Sequence, residues 1–257
     1  MAAALEVPNE APEGTREIGA PLVLVRFPEP WARHPNPFVL ALETWLRLAE
    51  LPFTVENSLR GEWLPDARLP RLRDGARLIV GLDAILDHLK ASRGIDPDAA
   101  LAPHQQAEAK ALRRLLEDHL YFAILWARWF DPDAEARYDR EVVAPFHPLL
   151  RPIARSLLRL RVGRLLDLHG LGRMHADAIL ALARDDLDAL SRYLGDKPFF
   201  MGEQLTTLDA IVYGFLANVY YLPIGARLKK LAYDFPNLVS FCETMEAGVY
   251  GEDRASL

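Results

Sequence analysis

The chain has 257 residues, of which 51% are hydrophobic, and its formal net charge is −6. This length supports one or two domains with a large buried core, and the negative charge argues against general nucleic-acid binding. The longest nearly apolar run, at 210–222, contains Asn218 and is shorter than the roughly 18 to 20 residues that a membrane span requires. We therefore expect a soluble globular protein without a membrane span.

Residues 1–20 contain four glutamates and two prolines, with neither a basic start nor an apolar core. This composition predicts a disordered acidic tail and argues against a secretory or mitochondrial leader. Cys242 is the only cysteine, so an intramolecular disulfide is impossible and an oxidising compartment is not required. We expect a cytoplasmic location.

Strand and helix patterns alternate in the first part of the chain, over residues 21–94. Their order predicts a small α/β domain with a mixed sheet. The predicted elements are a strand at 22–25, a helix at 37–50, a strand at 52–56, a hairpin with its turn at 73–75 and its second strand at 78–80, and a short helix at 83–91.

Only helical patterns remain after residue 103, and they predict an all-helical domain over 103–250. The composition changes near 94–103, which we interpret as the linker between the two domains. The predicted helices are 105–130, 142–168 with breaks near its prolines, 175–194, 208–222 and 236–247.

The loop at 194–209 is the most informative part of the chain. A lysine-proline pair and two glycines end the preceding helix, and Phe199 and Phe200 supply apolar anchors. Thr206 and Asp209 have the spacing of a capping box, in which each side chain bonds the backbone amide of the other residue. Apolar residues on either side of the cap are placed for a hydrophobic staple. The helix that follows is apolar on nearly every side, which predicts that it is buried.

This loop resembles, position by position, the N-capping box and hydrophobic staple of the glutathione transferase C-terminal domain. Within that superfamily, the sequence is most similar to the metaxin and failed-axon-connections branch and its soluble bacterial relatives. The resemblance implies a glutathione transferase-like fold, α/β plus all-α, with an N-terminal thioredoxin-like domain followed by a C-terminal helical bundle domain. The other segments that carry it are residues 37–47, 116–122, 128–132 and 235–239, followed by Cys242 and Glu243.

In that family, a hydrogen-bond donor or a reactive cysteine at the start of the first helix activates the glutathione thiol, and the helix dipole favours negative charge there. The corresponding loop, 27–39, contains no Ser, Thr, Tyr or Cys. Val39 stands where the related branch commonly has cysteine, which excludes a cysteine-based mechanism. Asn36 is either only the helix N-cap, with Pro37 at the first helical position, or a catalytic residue whose amide donates to the thiolate.

The resemblance places the contacts to the γ-glutamyl end of glutathione at Gly81 and Leu82, and neither side chain can bind an ammonium or a carboxylate. Asp83 binds the ammonium if the turn shifts, or is only a partner of the helix dipole. Segment 68–75 resembles the family's segment with a cis-proline, which would make Pro70 the cis residue. Leu69 before it would pair through its backbone with the cysteinyl part of glutathione.

Five more side chains are candidates for substrate binding. His34 could act as an acid or base, although a lone loop histidine is usually solvated, and Arg33 could meet a ligand carboxylate. His119, Tyr121 and Trp126 belong to a helix that borders the acceptor-substrate cleft in relatives. The alternative interpretation is that these helical aromatic residues are part of the core.

A run of five arginines over 151–164 has no acidic residue among its neighbours from 142 to 166. This run is either a solvated face or a site for an anionic ligand, the acidic tail or a membrane surface. The sequence has no metal-ligand spacing and no Gly-rich phosphate loop.

Two classes of function follow. The first is a glutathione S-transferase that joins glutathione, as a substrate, to a small electrophile, with Asn36 as the thiolate donor. The second is a non-catalytic ligand-binding or scaffold protein that kept the cleft and lost the glutathione contacts; fold alone does not decide between them. In both, the partner is a small-molecule ligand, and a homodimer is compatible with the sequence.

Overall fold

The computed structural model describes residues 21–28, 31, 33–58, 70–131, 141–222 and 225–251. The strands in these parts form a mixed sheet in the order β2-β1-β3-β4, in which β1 pairs in parallel with β2 and antiparallel with β3. Leu24 lies at the centre of the sheet, opposite Val55 on one side and Leu72 on the other. The mixed sheet that the sequence predicts is therefore confirmed. The strands are β1 (Leu22–Arg26), β2 (Phe53–Asn57), β3 (Arg71–Asp74) and β4 (Arg77–Val80).

Helices α1 (Pro37–Leu48) and α2 (Leu82–Arg93) accompany the sheet, and the rest of the described chain is helical. In the described residues, no helix has an apolar segment long enough to cross a membrane. The helices of this second half are α3 (Pro103–Leu115), α4 (Tyr121–Trp129), α5 (Arg151–His169), α6 (Ala176–Leu194), α7 (Thr207–Tyr220), α8 (Ala226–Ala232) and α9 (Pro236–Met245). Shorter turns are the π-helical segments Leu116–Leu120 and Glu246–Tyr250 and the 3₁₀ segments Pro148–Leu150 and Leu171–Arg173.

The two halves meet where α1 packs against α7. Every residue of α7 is buried, as its all-round apolar pattern predicts. A Cβ atom on Gly214 of α7 would lie 2.6 Å from the carbonyl oxygen of Pro37 and 2.8 Å from the amide nitrogen of Ala41. The helices can approach this closely only because residue 214 has no side chain. The start of α1 is thereby fixed against the helical half.

The predicted capping box at the start of α7 is confirmed. The Asp209 carboxylate accepts hydrogen bonds from the Thr206 amide (2.8 Å), the Thr206 hydroxyl (2.7 Å) and the Phe200 amide (2.8 Å). Asp209 is fully buried, so these three donors replace the water that its carboxylate loses on folding. The residue therefore ties the loop to the helix as well as closing the helix end.

Two predicted helices differ in detail from the structure, and one helix is not predicted. The pattern at 105–130 is helical, but a π-helical turn divides it into α3 and α4. The predicted helix at 142–168 begins only at Arg151, because prolines 145 and 148 leave turns and a 3₁₀ segment before it. Helix α8 was not predicted, since its seven residues bury only Leu228 and Ala232 and give no periodic signal. One continuous hydrophobic core includes residues of both halves, and the domain boundaries at 94 and 103 stay a prediction.

Replacing Asp209 by Ala is expected to lower the free energy of unfolding by about 1 to 3 kcal/mol, because a cap is lost and buried amides are left without an acceptor. Urea unfolding followed by circular dichroism measures the change. Asp185→Ala, at an exposed position of α6, is the matched control and should change the value by less than about 0.5 kcal/mol. Equal stability of the Asp209 variant and the control would contradict this role.

Candidate functional site

Asn36 is the N-cap of α1. Its side-chain Oδ1 accepts from the amides of Phe38 (3.0 Å) and Val39 (3.2 Å), with Pro37 at the first helical position. The cap that the sequence predicts is therefore present. Within the described residues, the Nδ2 group of Asn36 makes no hydrogen bond, so this donor is available at the positive end of the helix.

A cavity of about 260 Å³ opens beside Asn36, between the start of α1 and helices α4 and α5. Its walls are mostly apolar, and its polar lining residues are Asn36, Tyr121, Arg128 and Arg161. The ring of Tyr121 packs edge-on against the ring of Phe38, with 5.2 Å between the ring centres. This volume is just below the usual range for small-molecule pockets, so the cavity suits a small ligand.

Helices α4 and α7 hold the loop before Asn36 in place. Arg128 donates to the Pro35 carbonyl and to both oxygens of Asn218, at 3.0 Å for the backbone oxygen and 2.6 Å for Oδ1. The Nδ2 group of Asn218 donates to the carbonyls of His34 (3.2 Å) and Gly214 (2.8 Å). No pattern in the sequence predicts Arg128 or Asn218 as part of the site. Asn218 could have been predicted to hold a neighbouring segment, because it is a lone polar residue in an apolar helix and a buried amide needs hydrogen-bond partners.

His34 is fully buried, so the interpretation of a solvated loop histidine is wrong. Its Nδ1 accepts from the Asn36 amide at 3.0 Å. Burial lowers the pKa of His34 to about 3, and the nearby cation Arg26 acts in the same direction. The imidazole is therefore neutral near pH 7 and supports the capping residue, and it does not line the cavity.

Arg33 lies in the interior, away from the cavity. Its guanidinium pairs with the carboxylate of Glu246 at 2.7 and 3.1 Å and lies 3.9 Å from the ring centre of Tyr250. The hydroxyl of Tyr213 donates to the same carboxylate. Arg33 thus connects the loop before α1 to the π-helical segment after α9, and the structure gives it no position from which to meet a ligand in the cavity.

The turn between β4 and α2 has a backbone that only glycine adopts readily. Gly81 has φ 94° and ψ 141°, and its amide donates to the Pro70 carbonyl at 2.9 Å. Leu82 is buried in the core. Pro70 is buried at the start of β3, whereas Leu69 lies outside the described residues.

Asp83 has an exposed side chain and forms an ion pair with Arg113 of α3. Both residues line a second cavity of about 570 Å³, between α2, α3 and the start of α7. Lys90 also lines it and binds Asp96 (2.8 Å) and Asp98 (2.9 Å). The second cavity therefore has charged residues of both signs in its wall, unlike the cavity beside Asn36, whose charged lining residues, within the described parts of the chain, are all arginines.

The three candidates near α4 are separated by the structure. Tyr121 lines the cavity beside Asn36 and is joined there by Trp129. His119 instead bonds Asp186 of α6 at 2.5 Å, and Trp126 is buried in the core. In the described residues, no group of three or more His, Cys, Asp or Glu side chains could hold a metal ion.

Comparison with known proteins gives a consistent picture. Residues 37–134 match the family model for the glutathione S-transferase N-terminal domain, and residues 183–245 match the one for the C-terminal domain. The chain is 30% identical to an isoprene-epoxide–glutathione S-transferase of Rhodococcus sp. (strain AD45), over 81% of this chain and 90% of that protein. It is 29% identical to human metaxin-2, over 85% of this chain and 84% of metaxin-2.

The fold also matches solved structures. One is a glutathione S-transferase of Methylobacterium radiotolerans in complex with glutathione sulfonate, with a TM-score of 0.57 and 16% identity. That match covers 90% of this chain and 93% of the other. At this level of identity the likeness concerns the fold alone.

The buried His34 makes a prediction for pH dependence. Between its ordinary pKa of 6.5 and its folded-state pKa of about 3, the unfolded chain binds a proton here that the folded protein does not. Stability therefore falls as the pH falls, by about 1.4 kcal/mol per pH unit from this residue. In urea unfolding between pH 7 and pH 4, His34→Asn should flatten this dependence relative to the original protein. His104→Asn, at an exposed position, should leave it unchanged, and parallel curves for all three proteins would contradict the assignment.

Proposed function

This chain belongs to the glutathione S-transferase family, and we propose that it conjugates glutathione to a small apolar electrophile in the cavity beside Asn36. The observation that carries the proposal is the state of the Asn36 side chain. Two backbone amides fix its oxygen, which leaves Nδ2 as an oriented donor at the helix N-terminus. A donor in this position stabilises a thiolate more than a thiol and so lowers the pKa of a bound thiol.

The cavity supports the choice of electrophile. Its small volume and largely apolar wall fit a compact apolar molecule, and the similar Rhodococcus protein is named for an epoxide. In the reaction we propose, the glutathione thiol gives its proton to solvent, and the thiolate sulfur attacks a ring carbon of the epoxide. The carbon–oxygen bond breaks, and the alkoxide so formed takes a proton from solvent.

The γ-glutamyl end of glutathione would bind at Asp83 and Arg113. The carboxylate of Asp83 suits its ammonium and the guanidinium of Arg113 suits its carboxylate. Arg113 and Tyr121 are eight residues apart, and the π-helical turn between them contains one residue more than a regular α-helix would. They therefore lie about two turns, or about 10 Å, apart along the helix axis. An extended tripeptide also spans about 10 Å. One glutathione molecule could thus reach from the polar cavity to Asn36.

Binding at these residues should be weak. Asp83 and Arg113 are already paired with each other, and glutathione must replace that pair. Gly81 offers no side chain, and Leu82 is committed to the core. We expect a dissociation constant in the millimolar range.

The loss of the usual γ-glutamyl contacts favours a second candidate, a non-catalytic ligand-binding or scaffold protein. Gly81 could not become an acidic residue without a change in the turn, because its φ and ψ values are essentially restricted to glycine. Calorimetric titration with glutathione, followed by an assay of glutathione consumption with a small epoxide, separates the two. Millimolar binding with turnover supports the transferase, whereas binding without turnover, or no binding at glutathione concentrations well above the millimolar range, supports the second candidate.

Asn36→Ala is expected to lower the second-order rate of conjugation tenfold to a hundredfold, since a hydrogen bond to a charged group contributes roughly 1.5 to 3 kcal/mol. Asn36→Asp keeps the cap but has no donor, and its conjugation rate should be no higher than that of Asn36→Ala. Asn36→Ser keeps both a cap and a hydroxyl donor and should retain activity. The rates are measured well below each variant's melting temperature. An Asp variant as active as the original protein would show that residue 36 is only a cap.

Asp83→Asn and Arg113→Gln should each weaken glutathione binding about tenfold, because each removes one charge that faces the γ-glutamyl end. Competition titrations with glutathione and with cysteinylglycine, which lacks that end, test the assignment. Affinity for cysteinylglycine should be the same in the original protein and both variants. Asp87→Asn, on the exposed side of α2, is the control, and equal loss of both ligands would contradict the assignment.

A further inference from the structure

The outward side of α5 and the 3₁₀ turn before it expose large apolar side chains. Their exposed fractions range from 51% to 86%. Positions 153, 157, 160 and 168 follow one another at helical spacing, which places them on one side of the helix, and the turn extends the row at its N-terminal end. We name this surface the outer stripe; its residues are Leu149, Leu150, Ile153, Leu157, Leu160 and Leu168. So many exposed apolar residues in one row exceed what a monomer scatters over its surface and mark an interaction site.

The helix that carries the outer stripe is strongly basic. Helix α5 contains five arginines and one acidic residue, the exposed Asp167, although the whole chain has a formal charge of −6. Arg164 is exposed between Leu160 and Leu168, within the stripe itself. Arg151 donates to the carbonyls of Ala144 and Phe146 in the segment before the helix, and Arg159 donates to the carbonyl of Trp129 at the end of α4. The local charge therefore complements an anionic surface.

The opposite side of α5 is already occupied. Ala154 and Leu166 are buried, and Leu158 and Val162 line the cavity beside Asn36. Packing against the rest of the protein therefore leaves α5 with a second, outward apolar side. A helix that needed only to cover the cavity would have polar residues there.

We propose that the outer stripe docks on the surface of a bilayer that contains anionic lipids, with α5 lying parallel to the membrane plane. Leucine and isoleucine side chains enter the boundary between headgroups and acyl chains, and Arg164 within the stripe binds the anionic headgroups, as in interfacial amphipathic helices. A second copy of the chain is disfavoured as the occupant, because its α5 would bring a second helix of net positive charge, with its own Arg164, to the same surface. The docking needs no membrane-spanning segment.

Sedimentation with vesicles tests this proposal on the full chain. The probes are vesicles of phosphatidylcholine alone and of phosphatidylcholine mixed with phosphatidylglycerol. We expect binding to the mixed vesicles that weakens as salt is added, and little binding to the neutral ones. Replacing Ile153, Leu157 and Leu160 together by Ser should abolish it, and Arg164→Gln should lower the partition coefficient about fivefold.

Matched controls are Leu78→Ser, an exposed leucine of β4, and Arg192→Gln, an exposed arginine of α6; both should bind like the original protein. Melting curves establish whether each variant folds. If the triple variant does not fold, the Arg164 variant and the salt series test the proposal without it. Absence of binding to the mixed vesicles at low salt would overturn the proposal. So would a dimer in solution that the triple substitution turns into a monomer, since a second copy would then cover the stripe.

Discussion

Arg128 and Asn218 hold the loop in front of α1, and the geometry of the candidate site depends on them. Their hydrogen bonds join the carbonyls of His34 and Pro35 to residues about 90 or more positions later in the chain. Hydrogen bonds to a charged group contribute about 1.5 to 3 kcal/mol each, and a buried guanidinium without its acceptors would cost more. The direction of the first turn of α1, and with it the donor on Asn36, is therefore imposed by the helical half.

The charged and polar side chains around this loop fix its position and do not take part in proton transfer to a ligand. The neutral imidazole of His34 accepts a hydrogen bond from the Asn36 backbone amide. Inside the protein, the charge of Arg33 is neutralised by a salt bridge with Glu246. Neither group is placed to exchange protons with a ligand. The polar groups at the cavity beside Asn36 act as fixed dipoles and charges, which require little rearrangement when a thiolate forms. This arrangement suits catalysis by positioning, and equally the binding of an anionic ligand without turnover.

The fold could be predicted from the sequence because its strongest signals are local. The capping residues Thr206 and Asp209 are three positions apart, and strand and helix periodicities need only a short window. The site could be predicted only where a local rule applied, as for the Asn36 cap. The burial of His34 and Arg33 depends on partners more than 180 residues away, Asn218 and Glu246, which no spacing rule joins. Likewise, Arg113 was not predicted because its partner Asp83 belongs to the other half of the chain.

The π-helical turn at Leu116–Leu120 controls which side of the long helix faces the cleft. In an uninterrupted α-helix, the eight residues from Arg113 to Tyr121 would place these side chains about 80° apart around the axis. The extra residue reduces this to about 20°. Deleting one residue from the turn would rotate all of α4 by about 100° relative to α3. Chains of this fold that lack the insertion must therefore build the cleft wall from other helix positions, and an alignment without a gap here would equate residues that face different directions.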